Sequence, residues 1–332
     1  MECSRNNVRR TLKKMNYGLV GKTSAVQICR WTKNSLRGEG GCWKEKFYGI
    51  KSSGCVQMTP SVMWCENKCL HCWRPIEMNL GTELPEIDDP VKILDGIIAK
   101  RKELLQGMKG NMKVDATMFD EDIEPQLFTM SLSGEATLYP RLGEMFAEIR
   151  RRGCISFLVT NGLNPDAITN LGEGINELPT QLVVSTNAPN EKLFLEWHRS
   201  SKKNAWETFL KTLDVVRGLE GRVRRVIRLT LIKKSSEGMF AGITNMSNDN
   251  VEEYASLIKR ASPDFIHLKG YKAVGYAKNR IGYASQAWHH EVMRFAKKLL
   301  DKLDGYSVKA EEERSCVVCM ARDEVGLEIE RI

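Results

Sequence analysis

Cys65, Cys69 and Cys72 stand in one short stretch, Cys65-Glu-Asn-Lys-Cys69-Leu-His-Cys72-Trp73, with an aromatic side chain directly behind the last thiol. A loop of that length can wrap three thiolates around three corners of a 4Fe–4S cube and leave the fourth iron open to a substrate or cofactor. The alternative is a zinc knuckle completed by His71 or a further Cys. Zinc sites usually pair C-x2-C with a second such pair, and none stands near this one. The run Val56-Gln-Met-Thr-Pro-Ser-Val-Met-Trp64 ahead of the trio is apolar and strand-like, which puts the thiols on the loop leaving a strand.

A second trio, Cys29, Cys42 and Cys55, is evenly spaced with twelve residues between successive thiols. Isolated free Cys commonly behaves as a small buried apolar residue. Three together, beside a first cluster loop, point instead to a second three-Cys 4Fe–4S site. Lys44 lies two residues beyond Cys42. In an apolar or cationic setting such an amine loses its proton and serves as a Schiff-base nucleophile, whereas in solvent it is only a surface charge. Cys316-Val-Val-Cys319 sits in a Val-rich, strand-like setting and reads as two packed thiols; Cys3 and Cys154 have no evident partner.

The elements that must hold these thiols belong to an ordinary globular chain. It has 332 residues, 42% of them apolar, with 50 Lys+Arg against 42 Asp+Glu for a net charge of +8. Before Val56 there are 12 basic and 3 acidic residues, so an excess of +9 sits in the first 55 positions and the rest is almost neutral. Composition excludes disorder and collagen-like classes. The basic, polar start and the lack of a long apolar run argue against a secretory signal and a membrane span. Ten Cys without an export signal imply a cytoplasmic protein whose clustered thiols bind metal or do chemistry.

The C-x3-C-x2-C-aromatic loop resembles the signature of the radical S-adenosylmethionine (SAM) enzymes. The resemblance implies an α/β partial (β/α)6 barrel of TIM type, in which the open iron chelates SAM and reductive cleavage yields a 5′-deoxyadenosyl radical. The chain carries the pattern such a barrel needs. After the cluster loop a helix is predicted over Asp88 to Met108, with Asp88-Asp-Pro90 as its cap and Val91, Leu94, Ile97 and Ile98 at helical spacing. Strands are predicted at Leu127–Leu132, Ile155–Val159, Gln181–Ser185, Val226–Ile232 and Phe265–Leu268, with helices near Arg141–Arg152, Ala205–Val216, Val251–Arg260 and Ala287–Leu303. Strands alternating with helices at this spacing make parallel β/α units. The division expected is a basic segment 1–55 capping the barrel mouth, a barrel 56–304 and a C-terminal extension 305–332.

Chemistry in such barrels gathers on the loops after the strands. Trp73 behind the cluster, Gly134 and Glu135 after one strand, Asn161 after the next and Ser185 after the third are therefore candidate SAM-binding residues. The resemblance strengthens Gly134 and Glu135, since the superfamily carries a Gly-Gly-Glu-like element there, with the carboxylate facing the methionyl ammonium. Without the fold each would be a capped turn.

Longer segments narrow the resemblance. Phe47-Tyr-Gly-Ile50, Cys55 to Cys65, Cys69-Leu-His-Cys-Trp-Arg74, Ser131 to Pro140, Asn204-Ala-Trp206, Arg228-Leu-Thr-Leu231 and Lys269-Gly-Tyr271 are similar, in order, to the archaeal tRNA 4-demethylwyosine synthases. That family implies hydrogen abstraction from the methyl group of N1-methylguanosine beside the anticodon of tRNA-Phe. The carbon radical adds to C2 of pyruvate, the C1–C2 bond breaks, and the guanine amine closes a third ring. It also implies that a second cluster, on Cys29, Cys42 and Cys55, holds pyruvate, and that Lys44 forms an imine with it. Eukaryotic members carry a flavodoxin-like domain ahead of the barrel; the 55 residues here leave no room for one, so an external flavodoxin- or ferredoxin-type donor is expected. One family element is altered: a Cys-Arg-Pro segment is replaced by Trp197-His-Arg-Ser200.

A basic surface for the tRNA is expected from Arg9, Arg10, Lys13 and Lys14, from Arg199, and from Arg224 and Arg225, although charge runs are most often solvated faces. Trp43, Trp73 and Tyr271 are candidates for stacking an extruded base. The expected state is a monomer. Two other readings stand beside this one: a radical SAM enzyme with an auxiliary cluster acting on a peptide or small molecule, and a non-catalytic Cys-rich RNA-binding module.

Overall fold

The computed structural model describes residues 2–174, 176–236 and 240–330. The chain opens with α1 (Glu2–Lys14) and a short antiparallel pair, β1 (Gly18–Val20) and β2 (Ser24–Gln27). Two short helices, α2 (Arg30–Leu36) and α3 (Trp43–Tyr48), lead to β3 (Cys55–Thr59). The barrel then proceeds through α4 (Pro90–Lys109), α5 (Phe119–Asp122), β4 (Leu127–Met130), α6 (Leu142–Arg151), β5 (Ile155–Thr160), α7 (Pro165–Leu171) and β6 (Gln181–Ser185). It continues with α8 (Glu191–His198), α9 (Ala205–Gly218), β7 (Arg224–Leu231), α10 (Asn248–Ala261), β8 (Phe265–Gly270), α11 (Ala277–Arg280) and α12 (His289–Leu300). It closes on the hairpin β9 (Tyr306–Glu312) and β10 (Val317–Arg322).

Strands β3 to β8 are parallel neighbours in sequence order, the six-unit partial barrel that the alternating pattern predicts. In the first segment β2 pairs antiparallel with β3 and so carries the same sheet outward. At the other edge β10 pairs antiparallel with β8. Cys319 lies in β10 with its thiol buried, whereas Cys316 sits in the preceding turn at φ 50°, also buried, with the Lys272 ammonium donating to its sulfur at 3.0 Å.

Each parallel strand is covered on both faces, which explains its nearly unbroken apolar reading. Val56, Met58, Phe128, Met130, Leu158, Leu182, Val184, Ile227 and Leu229 face the helices. The opposite faces of the strand starts, among them Leu127, Ile155, Phe157, Val183, Val226 and Phe265, fill the barrel floor together with Phe47 and Tyr48 of α3. Helix α3 is thus a plug: Trp43 packs edge-on against His267 at 5.0 Å, and the Tyr48 hydroxyl meets His267 Nε2 at 2.6 Å. Above this floor the same inner face turns polar and half-buried at Gln57, Ser185, Arg228, Thr230 and Lys269. The transition marks where the barrel stops being core and becomes a lumen.

Two of the basic residues expected on the RNA surface are structural. Arg225 is fully buried at the start of β7, with its guanidinium paired to Asp264 at 2.5 Å and to Glu220 at 3.1 Å. Arg224 donates to the Leu327 carbonyl at 2.8 Å and lies 4.3 Å over the Phe265 ring. The strand begins two residues before the expected Val226, which turns a run of charges into strand residues. Asp264→Ala is expected to destabilise the fold by about 3 kcal/mol, since it leaves a buried guanidinium with only the exposed Glu220 as its ion partner. A lowered thermal midpoint of the cluster-free protein checks this.

Candidate active site

The first thiol loop leaves β3 through a turn at Met63, whose φ is 71°. It is held on both sides. Lys68 N and Leu70 N donate to the carbonyls of His198 and Trp197 at 2.9 Å each, and Ser201 N donates to the Glu66 carbonyl. Arg280, buried on α11, donates to the carbonyls of Leu70 at 3.0 Å and of Cys72. The altered segment Trp197–Ser200 therefore backs the cluster loop directly. Arg199 is exposed at its left-handed end and lies 5.1 Å over the Phe240 ring.

Cys65, Cys69 and Cys72 converge. Burial pushes the thiols of Cys65 and Cys69 well above the usual range, and each is raised further by a neighbouring Cys of the trio. Cys69, His71 and His198 also bring ligand atoms within 4.8 Å of one another. Both imidazoles are held neutral by burial, His71 down to about 4 and His198 to about 3, and His71 Nε2 meets the Asn187 amide nitrogen at 3.0 Å.

Beside the thiols lie two buried carboxylates, Glu66 and Glu135. Glu135 accepts from Thr160 Oγ1 at 2.7 Å, Thr137 Oγ1 at 2.8 Å and Asn161 N at 2.8 Å. Burial, followed by the charge of Glu66, raises its carboxyl to about 7. Glu66 accepts from the amides of Asn161, at 3.0 Å, and Asn164. Among the described residues neither carboxylate has a cationic partner. Buried carboxylates side by side are kept where a cation joins them, and SAM brings both an ammonium and a sulfonium. Three convergent thiols beside an unbalanced acidic pair fit an iron–sulfur cluster with that cofactor.

The other predicted residues fall around this centre in different ways. Asn161 also points its amide at Cys65 Sγ, 3.7 Å away. Trp73 is half-buried, with the Arg74 guanidinium 3.4 Å over its ring. Ser185 Oγ accepts from Arg228 at 3.0 Å. Gly134 serves the chain more than a ligand: at φ +72° its backbone nests against Ser61 and Trp64, where a Cβ would fall 1.9 Å from the Ser61 carbonyl oxygen. Glu135 N donates to the Trp64 carbonyl at 2.7 Å, so this glycine fixes the acidic loop on the approach to the thiols. Tyr271 is buried in the core rather than available for stacking.

The second trio also converges, at the other end of β3. Cys29 and Cys42 cap the N-termini of α2 and α3, and Cys55 is the first residue of the strand. The trio lines one small cavity together with Lys44, Ser52 and Trp31. Ser52 ties the pieces together: its hydroxyl accepts from Cys42 N at 2.7 Å, its carbonyl from Thr32 Oγ1, and its amide donates to Glu45. Lys44 Nζ is 3.2 Å from Cys55 Sγ. Burial pushes this amine toward neutrality, but the thiols of Cys55, Cys42 and Cys29 outweigh it and raise Lys44 above the ordinary lysine range. Were the three thiolates to bind a 4Fe–4S cube, they would share its positive charge and hold the ammonium less strongly, which shifts the balance toward the free amine that burial favours. Glu66 and His198 were not anticipated from sequence, and Arg228 and Lys269 entered there only within the segments that carry the resemblance, with no site role assigned.

A radical SAM barrel is the class this fold and thiol loop define, and residues 60–246 match the family described as the radical SAM superfamily. Residues 260–322 match the family of wyosine base formation. The chain is 40% identical over 319 residues to the S-adenosyl-L-methionine-dependent tRNA 4-demethylwyosine synthase of Pyrococcus abyssi, covering 96% of this chain and 89% of that one. It is 33% identical to the enzyme of the same name from Methanocaldococcus jannaschii, covering 95% and 96%. Its structure is similar to one of TYW1 with a lysine-pyruvate adduct bound, at a TM-score of 0.81 and 30% identity over 97% of each chain. An archaeal TYW1 crystal structure matches at a TM-score of 0.74 and 28% identity, over 97% of this chain and 99% of that one. The chain belongs to the tRNA 4-demethylwyosine synthases, radical SAM enzymes that form the wyosine base.

Proposed function

We propose that this enzyme condenses N1-methylguanosine of tRNA-Phe with pyruvate and uses two 4Fe–4S clusters, one on Cys65, Cys69 and Cys72 and one on Cys29, Cys42 and Cys55. Cys65, Cys69 and Cys72 would hold the first cluster, which with bound SAM would supply a 5′-deoxyadenosyl radical. The chain's own residues then have distinct tasks. Glu66 and Glu135 offer negative charge to the methionyl ammonium, while Asn161 orients both the acidic pair and Cys65. Lys44 attacks C2 of the keto acid, loses water to give an imine, and is displaced when the guanine amine closes the ring. The observation that carries this reading is the Lys44 amine 3.2 Å from Cys55 Sγ, inside a pocket bounded by all three thiols of the second trio. The relative solved with a lysine-pyruvate adduct supports it.

Electrons come from a separate flavodoxin- or ferredoxin-type donor, and the enzyme acts as a monomer in the cytoplasm. Among the described residues no helix is long and apolar enough to cross a membrane. On α1, Arg10, Lys13 and Lys14 are exposed and Arg9 is half-buried, so this helix rather than β7 offers charge to the RNA. Neutralising Arg10, Lys13 and Lys14 together should reduce the slope of log affinity against log salt by about 2. Titration of tRNA binding at several salt concentrations reads this directly.

The whole reading is tested by anaerobic reconstitution with N1-methylguanosine-containing tRNA-Phe and pyruvate. A tricyclic nucleoside that forms only when both are supplied supports it. SAM cleavage with no change in the tRNA would reject it in favour of a peptide or small-molecule substrate.

A further inference from the structure

Strands buried on both faces rarely carry charge inward, yet β7 and β8 each do. Arg228 and Lys269 share the inward parity of Val226 and Phe265 on the barrel floor. The register sets Arg228 opposite His267 and Lys269 opposite Thr230, which makes the two cations diagonal neighbours on one face. Arg228 donates to Ser185 Oγ, while its Nε has no partner. Among the described residues no carboxylate pairs with either cation.

Their position is between the two thiol trios. Arg228 lies within electrostatic reach of His71 in the first loop, and Lys269 within reach of Cys42, Cys29 and Lys44. Burial, followed by the facing Arg228, pushes Lys269 below the ordinary lysine range. Two like charges left unpaired on one half-buried inner face are unfavourable until an anion joins them.

We propose that Arg228 and Lys269 form a binding site for a small carboxylate in the lumen between the trios, and that this carboxylate belongs to the keto acid. The assignment rests on Lys44 as the imine-forming amine. In an α-keto acid the carbonyl carbon is one bond from the carboxylate, so an anchor next to Lys44 presents that carbon to the amine. Two cations also give directional, charge-assisted hydrogen bonds to both carboxylate oxygens.

Borohydride trapping of labelled pyruvate on the anaerobically reconstituted enzyme, titrated in pyruvate, tests the site. Arg228→Gln and Lys269→Met should each raise the half-saturating pyruvate concentration about tenfold or more, with wild-type iron content. Arg228→Lys and Lys269→Arg should recover part of the loss, which a merely structural role would not predict. An unchanged pyruvate titration overturns the proposal. Loss of iron from Lys269→Met also overturns it, by making that lysine a counter-charge to the metal site. A shift confined to the SAM-induced change in the first cluster's EPR signal gives the cations to the methionyl carboxylate and equally overturns it. If wild-type enzyme traps no pyruvate at all, the Lys44 reading falls and the carboxylate site falls with it, a failure seen without any mutation.

Discussion

Lys44→Met is expected to abolish both the borohydride-trapped pyruvate adduct and the tricyclic product, lowering turnover by about a thousandfold or more, as loss of a covalent nucleophile does. The amine sits in a cavity walled by Cys29, Cys42 and Cys55, and no other lysine lines it. Lys44→Arg should fail as completely, because a guanidinium does not give up its proton to attack a carbonyl. Iron content measured in parallel separates loss of the nucleophile from loss of the metal site beside it. A Lys44→Met enzyme that still forms product at near wild-type rates would remove the imine from the mechanism.

Cys65→Ser is the second change with a large effect. Cys65 is half-buried, accepts from Asn67 N at 3.4 Å and faces the Asn161 amide, so its sulfur is a fixed corner of the first loop. The variant should retain about four of an expected eight irons per chain. SAM cleavage should fall below detection, measured as 5′-deoxyadenosine released under a strong reductant. Cys42→Ala should remove the complementary half of the iron, together with any pyruvate-dependent change in the cluster spectrum. If either variant keeps full iron, the assignment of that trio fails.

What was legible in the sequence followed from how local its cause is. The strands at Ile155, Gln181 and Phe265 were found because burial on both faces writes an apolar run, and α4 because Asp89 and Pro90 announce its start; Asp89 accepts from Val91 N and Lys92 N. The cluster loop was found because thiol spacing is itself the site. The pair β1–β2 and the strand β9 escaped notice, although the Val-rich start of β10 reads as strand-like: β1 and β2 span three and four residues, and β9 has no fully buried position to write an apolar pattern. Arg224 and Arg225 were read as solvent-facing charge, and the facts that bury them lie far along the chain, in Asp264 and in the carbonyl of Leu327. Glu66 was passed over for the same reason. A carboxylate between two cysteines reads as solvated until Asn161 and Asn164, nearly a hundred residues later, fold over it. Arg228 and Lys269 did leave a signal, charge in otherwise apolar strands, but its meaning depends on which face each occupies.

The most direct measurement is an isotope experiment on the product. Reconstituted enzyme, SAM, a low-potential reductant and N1-methylguanosine-containing tRNA-Phe are combined with pyruvate labelled at C1 in one sample and at C2 and C3 in another, and the nucleosides are analysed by mass spectrometry. The account predicts a new tricyclic nucleoside that carries the C2 and C3 label and none of the C1 label. A tricycle without pyruvate carbon, or one retaining C1, would contradict it.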